Sequence, residues 1–163
     1  MINSIFEKDF VFRIYTFNKY HYTDNRCGCP YNFIVYMNEG DSKIVCNDNT
    51  IDVHQGECFF IPKGLSYESF WYGKDSISFV SLGFAEIPCE ENQTFFLQKI
   101  NCDSHTKKKI KMLGQEMTIS AITLCNFYGI LSDLMPLMQN VHKSKEQQLA
   151  DKIKRYIINN PLN

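Results

Sequence analysis

The sequence lacks a strong excess of charge, since 17 Lys and Arg stand against 18 Asp and Glu, a net charge of −1 over 163 residues. Nothing in the overall charge therefore points to nucleic acid or a membrane surface as a partner. An apolar run long enough to span a bilayer is also missing. Met1–Ser4 lead into the charged residues Glu7, Lys8 and Asp9 and not into the apolar core of an export signal. We therefore expect a cytoplasmic protein that does not engage a membrane.

The seven cysteines are an odd number, and no export signal precedes them. Such a set is typical of free thiols in a reducing compartment and not of a disulfide scaffold. No local signature marks any of them, or any of the four histidines, as part of a nucleophilic site. We therefore expect that the chain is not an enzyme and has no catalytic residues.

Short segments rich in β-branched and aromatic residues fill the first 100 residues, with turn residues between them. Short strands at such regular spacing are typical of a β-barrel or a β-sandwich. The segment 24–30 has the composition of a turn. The predicted strands are 10–17, 32–38, 42–47, 50–54, 57–61, 66–72 and 76–84.

The periodicity becomes helical near residue 103, where Asp103 or Ser104 can cap a helix that runs to about Met117. A second helix is predicted from Ser120, because the apolar residues that follow recur at helical spacing. Pro136 is expected to kink or shorten it. A polar linker at 141–145 and a third helix at 146–159 complete the pattern. The expected domains are a barrel at 1–100, a helical segment at 101–142, and a linker with a final helix at 143–163.

The stretch from Gly56 to Tyr67 resembles the second cupin motif, which is Gly, five residues, Pro-x-Gly, two residues and His. Gly56, Pro62 and Gly64 stand in register with that motif, and Tyr67 replaces the final His. The first glycine allows a turn between strands, and Pro-x-Gly forms the next turn. The resemblance implies a mainly β protein with C-terminal α-helices, in which a cupin-like jelly-roll barrel is followed by a helical hairpin.

The order of barrel, helices and linker resembles the N-terminal effector-binding domain of AraC-family transcription regulators. Residues 146–160, with the pair Tyr156-Ile157, resemble the first helix of that family's helix-turn-helix domain. The resemblance implies effector sensing and dimerisation, with DNA bound only through a C-terminal domain that would follow Asn163. We therefore expect a fragment excised from, or truncated within, a longer regulator. The alternatives are a stand-alone small-molecule-binding cupin and a metal-dependent cupin enzyme.

The resemblance also bears on metal binding, since catalytic cupins hold a metal with three His and one Glu. Here Cys46 and Asp48 stand near the positions of the first motif's ligand pair, and Tyr67 takes the place of the second motif's His. Two such ligands do not make a zinc site. We therefore expect no metal and no other cofactor.

A ligand site is predicted on the strand that begins at Tyr67. Side chains alternate along a strand, so Tyr67, Ser69 and Trp71 are expected to face the barrel interior. The alternative is that these side chains simply fill a small barrel. The resemblance implies a ligand-contacting role for Arg26, because sugar-binding members of the family have such an arginine at about this position. The alternative is that Arg26 is a solvated charge on a loop and contacts no ligand. Aromatic faces with one cation suit a sugar or a small acid.

The apolar stripe over residues 119–140 has two possible roles. It can pack a helix on the barrel, and it is wide enough to join two copies of the chain as well. We therefore expect a homodimer built on this segment.

Overall fold

In the computed structural model, two β-sheets enclose a common core. The structure describes residues 8–47, 49–89, 93–116, 118–142 and 144–159. The strands are β1 Phe10–Phe17, β2 Tyr20–Asn25, β3 Asn32–Glu39, β4 Asp41–Cys46, β5 Asn49–Val53, β6 Cys58–Ile61, β7 Tyr67–Tyr72, β8 Ile77–Phe84, β9 Gln93–Phe95, β10 Gln98–Ile100 and β11 Asn140–His142. The helices are α1 Ser104–Gly114, α2 Ala121–Leu134 and α3 Lys145–Asn159, and a 3₁₀ turn spans Met135–Leu137.

The strand order is that of a jelly roll. The five-stranded sheet has the order β1-β8-β3-β6-β10, and the four-stranded sheet has the order β2-β7-β4-β5. Strands β9 and β11 form a separate two-stranded sheet, and every pair is antiparallel. Apart from the hairpin β4–β5, successive strands from β1 to β8 alternate between the five-stranded and the four-stranded sheet, the arrangement of a double-sheet jelly roll. The expected fold class, mainly β with C-terminal helices, is confirmed.

The three middle strands of the five-stranded sheet, β8, β3 and β6, are covered on both faces and are therefore almost continuously buried. On β8, Phe79 belongs to the core between the sheets. The next residue, Val80, belongs to the core shared with α1 and α2. Alternation along each strand thus sends successive side chains into two different cores.

The turns of the motif form where the sequence predicts them. Gly56 and Gly64 adopt positive φ values of 86° and 83°, a conformation that a side chain on the α-carbon disfavours. Between them the chain forms β6, a strand of the five-stranded sheet, and after Gly64 it enters β7 in the other sheet. The first residue of β7 is Tyr67, which is buried in the inner core as expected.

The helix starts agree with the predictions, and some ends differ. The Asp103 side chain caps α1 by accepting a hydrogen bond of 2.7 Å from the Thr106 amide. This helix ends at Gly114, and Met117, the expected end, lies outside the described residues. The second helix stops at Leu134, and Pro136 lies in the 3₁₀ turn that follows, so the proline shortens the helix.

Two predicted irregular segments are partly strands. The segment 24–30 begins inside β2, which ends at Asn25. The predicted linker 141–145 overlaps β11, which pairs with β9 from Asn140 to His142. Both predictions were wrong there, because pairing with a distant strand decided the conformation and the local composition did not. Strands β9 and β10 were not predicted.

Candidate functional site

A cavity of about 370 Å³ lies between the two sheets of the barrel. This volume is at the small end of the range for ligand pockets. Its lining comes from both sheets and from the segment before β3. The lining residues are Tyr15, Phe17, His21, Thr23, Asn25, Pro30, Phe33, Val35, Ile61, Tyr67, Ser69, Trp71, Phe79 and Ser81.

One wall of the cavity is the ladder between β2 and β7. In this register, His21 is opposite Trp71, Thr23 is opposite Ser69, and Asn25 is opposite Tyr67. All six of these side chains line the cavity, because paired residues of an antiparallel ladder point to the same face. The structure thus brings Tyr67, Ser69 and Trp71 together as predicted and adds three residues that the sequence analysis missed.

Trp71 is held on two sides. Its ring stacks on Phe79 with a centroid distance of 4.0 Å and an interplanar angle of 15°. Its indole Nε1–H donates a hydrogen bond of 2.9 Å to Ser69 Oγ. Both partners also line the cavity, so this indole is fixed in place before any ligand arrives.

His21 stacks on Phe17 with a centroid distance of 3.6 Å and an interplanar angle of 6°. Its Nε2 lies 3.1 Å from Thr23 Oγ1. Burial lowers the pKa of His21, because an apolar environment disfavours the charged imidazolium. We therefore treat it as a neutral ring at pH 7.

Tyr67 is a buried phenol at the far end of this wall. Burial raises the pKa of Tyr67, and the neighbouring Cys29 raises it further. The side chain therefore stays protonated at neutral pH and can serve as a hydrogen-bonding group. It is a poor ligand for a divalent metal, which needs a deprotonated donor.

Arg26 follows β2 but does not line the cavity. Its exposed guanidinium binds Asp24 through both carboxylate oxygens, with Nη2 2.6 Å from Oδ2 and Nε 3.0 Å from Oδ1. These hydrogen bonds lower the pKa of Asp24 to about 2. The cation is thus paired outside the cavity, and contact between Arg26 and a ligand stays a prediction.

Among the described residues, no group of three or more His, Cys, Asp or Glu is placed to hold a metal ion. Cys46 is the last residue of β4, and Asp48 lies outside the described residues. The expectation that the chain holds no metal stays a prediction.

The comparisons with known proteins give one curated relative and a set of similar structures. No family model matches the sequence. The Msm operon regulatory protein of Streptococcus mutans serotype c is 27% identical over 112 residues, which are 61% of this chain and 39% of that protein. A structure of ToxT from Vibrio cholerae superimposes on 94% of this chain with a TM-score of 0.61 and 13% identity.

This chain shares its fold with the matched part of ToxT, which is 66% of the ToxT chain. A second ToxT structure, with an unsaturated fatty acid bound, matches 94% of the chain with a TM-score of 0.58 and 15% identity. The chain spans 66% and 64% of the two ToxT chains and 39% of the curated relative. Within the described residues, no helix is long and apolar enough to cross a membrane.

Proposed function

We propose that this chain is the effector-sensing part of a cytoplasmic AraC-family transcription regulator, and that it binds one small molecule inside the barrel. The observation that carries the proposal is the cavity between the sheets, whose lining includes Tyr67, Ser69 and Trp71, the three residues that strand alternation predicts. Two comparisons support it. The fold is shared with ToxT, an AraC-family regulator, and the curated relative is named as an operon regulatory protein. We propose no enzymatic activity and no metal or other cofactor.

In such a regulator, helix-turn-helix units that follow α3 would read the DNA. Specific recognition by this motif needs a second helix in the major groove. The third helix, which resembles the first helix of such a domain, carries large apolar side chains that are exposed and could pack against these units. They are Leu149, Ile153, Tyr156 and Ile157.

The five-stranded sheet offers a physical route from ligand to helices. On β8, Phe79 and Ser81 line the cavity, whereas the intervening Val80 packs in the core that contains α1 and α2. A ligand that displaces Phe79 therefore acts on the same strand that supports the helices. It can shift the regulator between two states only if it binds one of them more tightly.

The proposed site is tested by a thermal-shift screen of sugars, small acids and small aromatic compounds on the parent chain and on Ser81→Phe. Ser81 is buried and lines the cavity, so the larger side chain should fill the ligand's space. A compound at a hundred times its dissociation constant should stabilise the parent by roughly 2.7 kcal/mol and leave the variant unchanged.

The control variant is Thr16→Phe, which makes a comparable change at an exposed position of β1. It should respond to the same compounds as the parent. Equal stabilisation of Ser81→Phe and the parent by every active compound would show that binding occurs elsewhere and would contradict the proposal.

We also propose that α1 and α2 form a homodimer contact. Part of the predicted stripe is already used, because Phe127, Leu131 and Leu134 are buried in the core beside the barrel. The other side of α2 exposes Ile122. Beside it, a groove of about 240 Å³ between α1 and α2 is lined by Met112 and Gly129, among others. A helix of a second copy could dock there.

The dimer is tested by light scattering on the parent and on Ile122→Asp. A buried, unpaired carboxylate strongly disfavours an interface, so we expect a dimer for the parent and a monomer for the variant. Leu149→Asp makes the same kind of change on the exposed surface of α3 and should leave the dimer intact. A parent that is monomeric at high protein concentration, or a dimer that Ile122→Asp does not weaken, would contradict this contact.

A further inference from the structure

The cavity offers a ligand no full charge. None of the described residues that line it is Lys, Arg, Asp or Glu. Arg26, the cation that the sequence analysis favoured, is exposed and paired with Asp24. The imidazole of His21 is the basic group in the lining, and burial lowers its pKa. An anion in this cavity would lose its hydration without gaining a counter-charge, which is costly.

The polar groups of the lining are largely satisfied by one another. Ser69 accepts a hydrogen bond from Trp71, Thr23 lies beside His21, and Asn25 pairs with Tyr67 across the ladder. A ligand rich in hydroxyl groups would have to break these pairs to replace the water that it loses. The groups would still allow one or two hydrogen bonds, since a hydroxyl oxygen can both donate and accept.

The remaining lining is aromatic or aliphatic, and it has flat faces. The stacked pairs Trp71–Phe79 and Phe17–His21 lie in it, and Phe33 contributes a further ring. Aromatic rings favour offset-stacked or edge-to-face neighbours. A flat, apolar molecule can contact these rings without disturbing the polar pairs.

We infer that the ligand of this cavity is an uncharged, flat and mainly apolar small molecule, such as one built on one or two aromatic rings. The inference rests on the proposed function and replaces the ligand expected from the sequence, a sugar or a small acid, with a different chemical class. It requires no contact with Arg26.

A matched pair of fluorescent probes tests the inference directly. N-phenyl-1-naphthylamine is uncharged, and 1-anilinonaphthalene-8-sulfonate has the same aromatic skeleton with one added sulfonate. Both are titrated into the full chain. Trp71 is the single tryptophan and lines the cavity, so quenching of its emission reports a probe bound nearby. We expect the uncharged probe to bind at least about tenfold more tightly, because the sulfonate finds no counter-charge.

Two variants and a competitor sharpen the result. Thr23→Arg places a cation in the lining and should raise the affinity for the sulfonate relative to the uncharged probe. Leu149→Ser removes an exposed apolar side chain from α3 and should change neither affinity. Methyl β-D-glucoside in excess should not displace the uncharged probe.

Tighter binding of the sulfonate by the parent, failure of both probes to bind the folded chain, or displacement by the glucoside would each overturn the inference. A different result would contradict the proposed function, namely that every compound active in the screen stabilises Ser81→Phe and the parent equally. A sugar or an acid that stabilises the parent but not Ser81→Phe would therefore support the proposed function while contradicting this inference.

Discussion

Replacement of Trp71 with alanine is expected to lower the free energy of unfolding by about 3–5 kcal/mol, the usual cost of removing a large buried aromatic side chain. The indole is only 4% exposed and stacks on Phe79. Its removal also takes from Ser69 the hydrogen bond that the indole donates. Urea denaturation followed by circular dichroism measures the loss, since the variant has no tryptophan fluorescence.

The matched control is Tyr72→Ala at the next position of β7. Tyr72 points to the opposite face of the sheet and is 48% exposed, so its loss should cost about 1 kcal/mol or less. Added indole should restore part of the stability of Trp71→Ala, because a ligand that binds only the folded state stabilises it. Equal costs for the two substitutions would contradict the placement of Trp71 in the barrel core.

Phe127→Ala is expected to destabilise the chain by about 3–5 kcal/mol. Phe127 is fully buried on α2. Its ring centroid lies 5.0 Å from that of Phe84, 5.2 Å from that of Phe12 and 5.5 Å from that of Phe10. This one side chain therefore joins the second helix to β1 and β8. Chemical denaturation of parent and variant measures the difference.

Ser132→Ala on the same helix provides the comparison. Ser132 is exposed, and alanine is the better helix former, so the free energy of unfolding should hardly change. A Phe127→Ala variant that is as stable as Ser132→Ala would show that α2 does not pack on the five-stranded sheet in solution.

The sequence predicted most of the barrel, because the strands that form it bury large aromatic and β-branched residues between clear turns. Strand β2 was missed for a physical reason. Its inward residues His21, Thr23 and Asn25 are polar or amphipathic and its outward residues are Tyr20, Tyr22 and Asp24, so no contrast in hydropathy marks the two faces. Strands β9, β10 and β11 have three residues each, too few to show a period of two.

Part of the candidate site was predictable because side chains alternate along a strand. Alternation from Tyr67 placed Ser69 and Trp71 on the inner face of β7 without any tertiary information. The β2 residues of this wall could be identified only from the pairing of Asn25 with Tyr67. No local sequence pattern indicates that pairing. Arg26 had a signal that was not used, since Asp24 lies two residues before it and can neutralise it locally.

The stripe on α2 shows the limit of periodicity as evidence for an interface. Helical spacing identifies an apolar face but not what covers it. Phe127, Leu131 and Leu134 are covered by the chain's own core, whereas Tyr128 of the same stripe and the neighbouring Ile122 are exposed.

The most direct test of the central claim is a crystal structure of the chain with the most strongly stabilising compound from the screen. We predict electron density for the compound between the β2–β7 wall and Phe79, in contact with Trp71. Density in the groove between α1 and α2, beside Met112 and Gly129, with the barrel cavity free of the compound, would contradict the claim that the barrel is the sensing site.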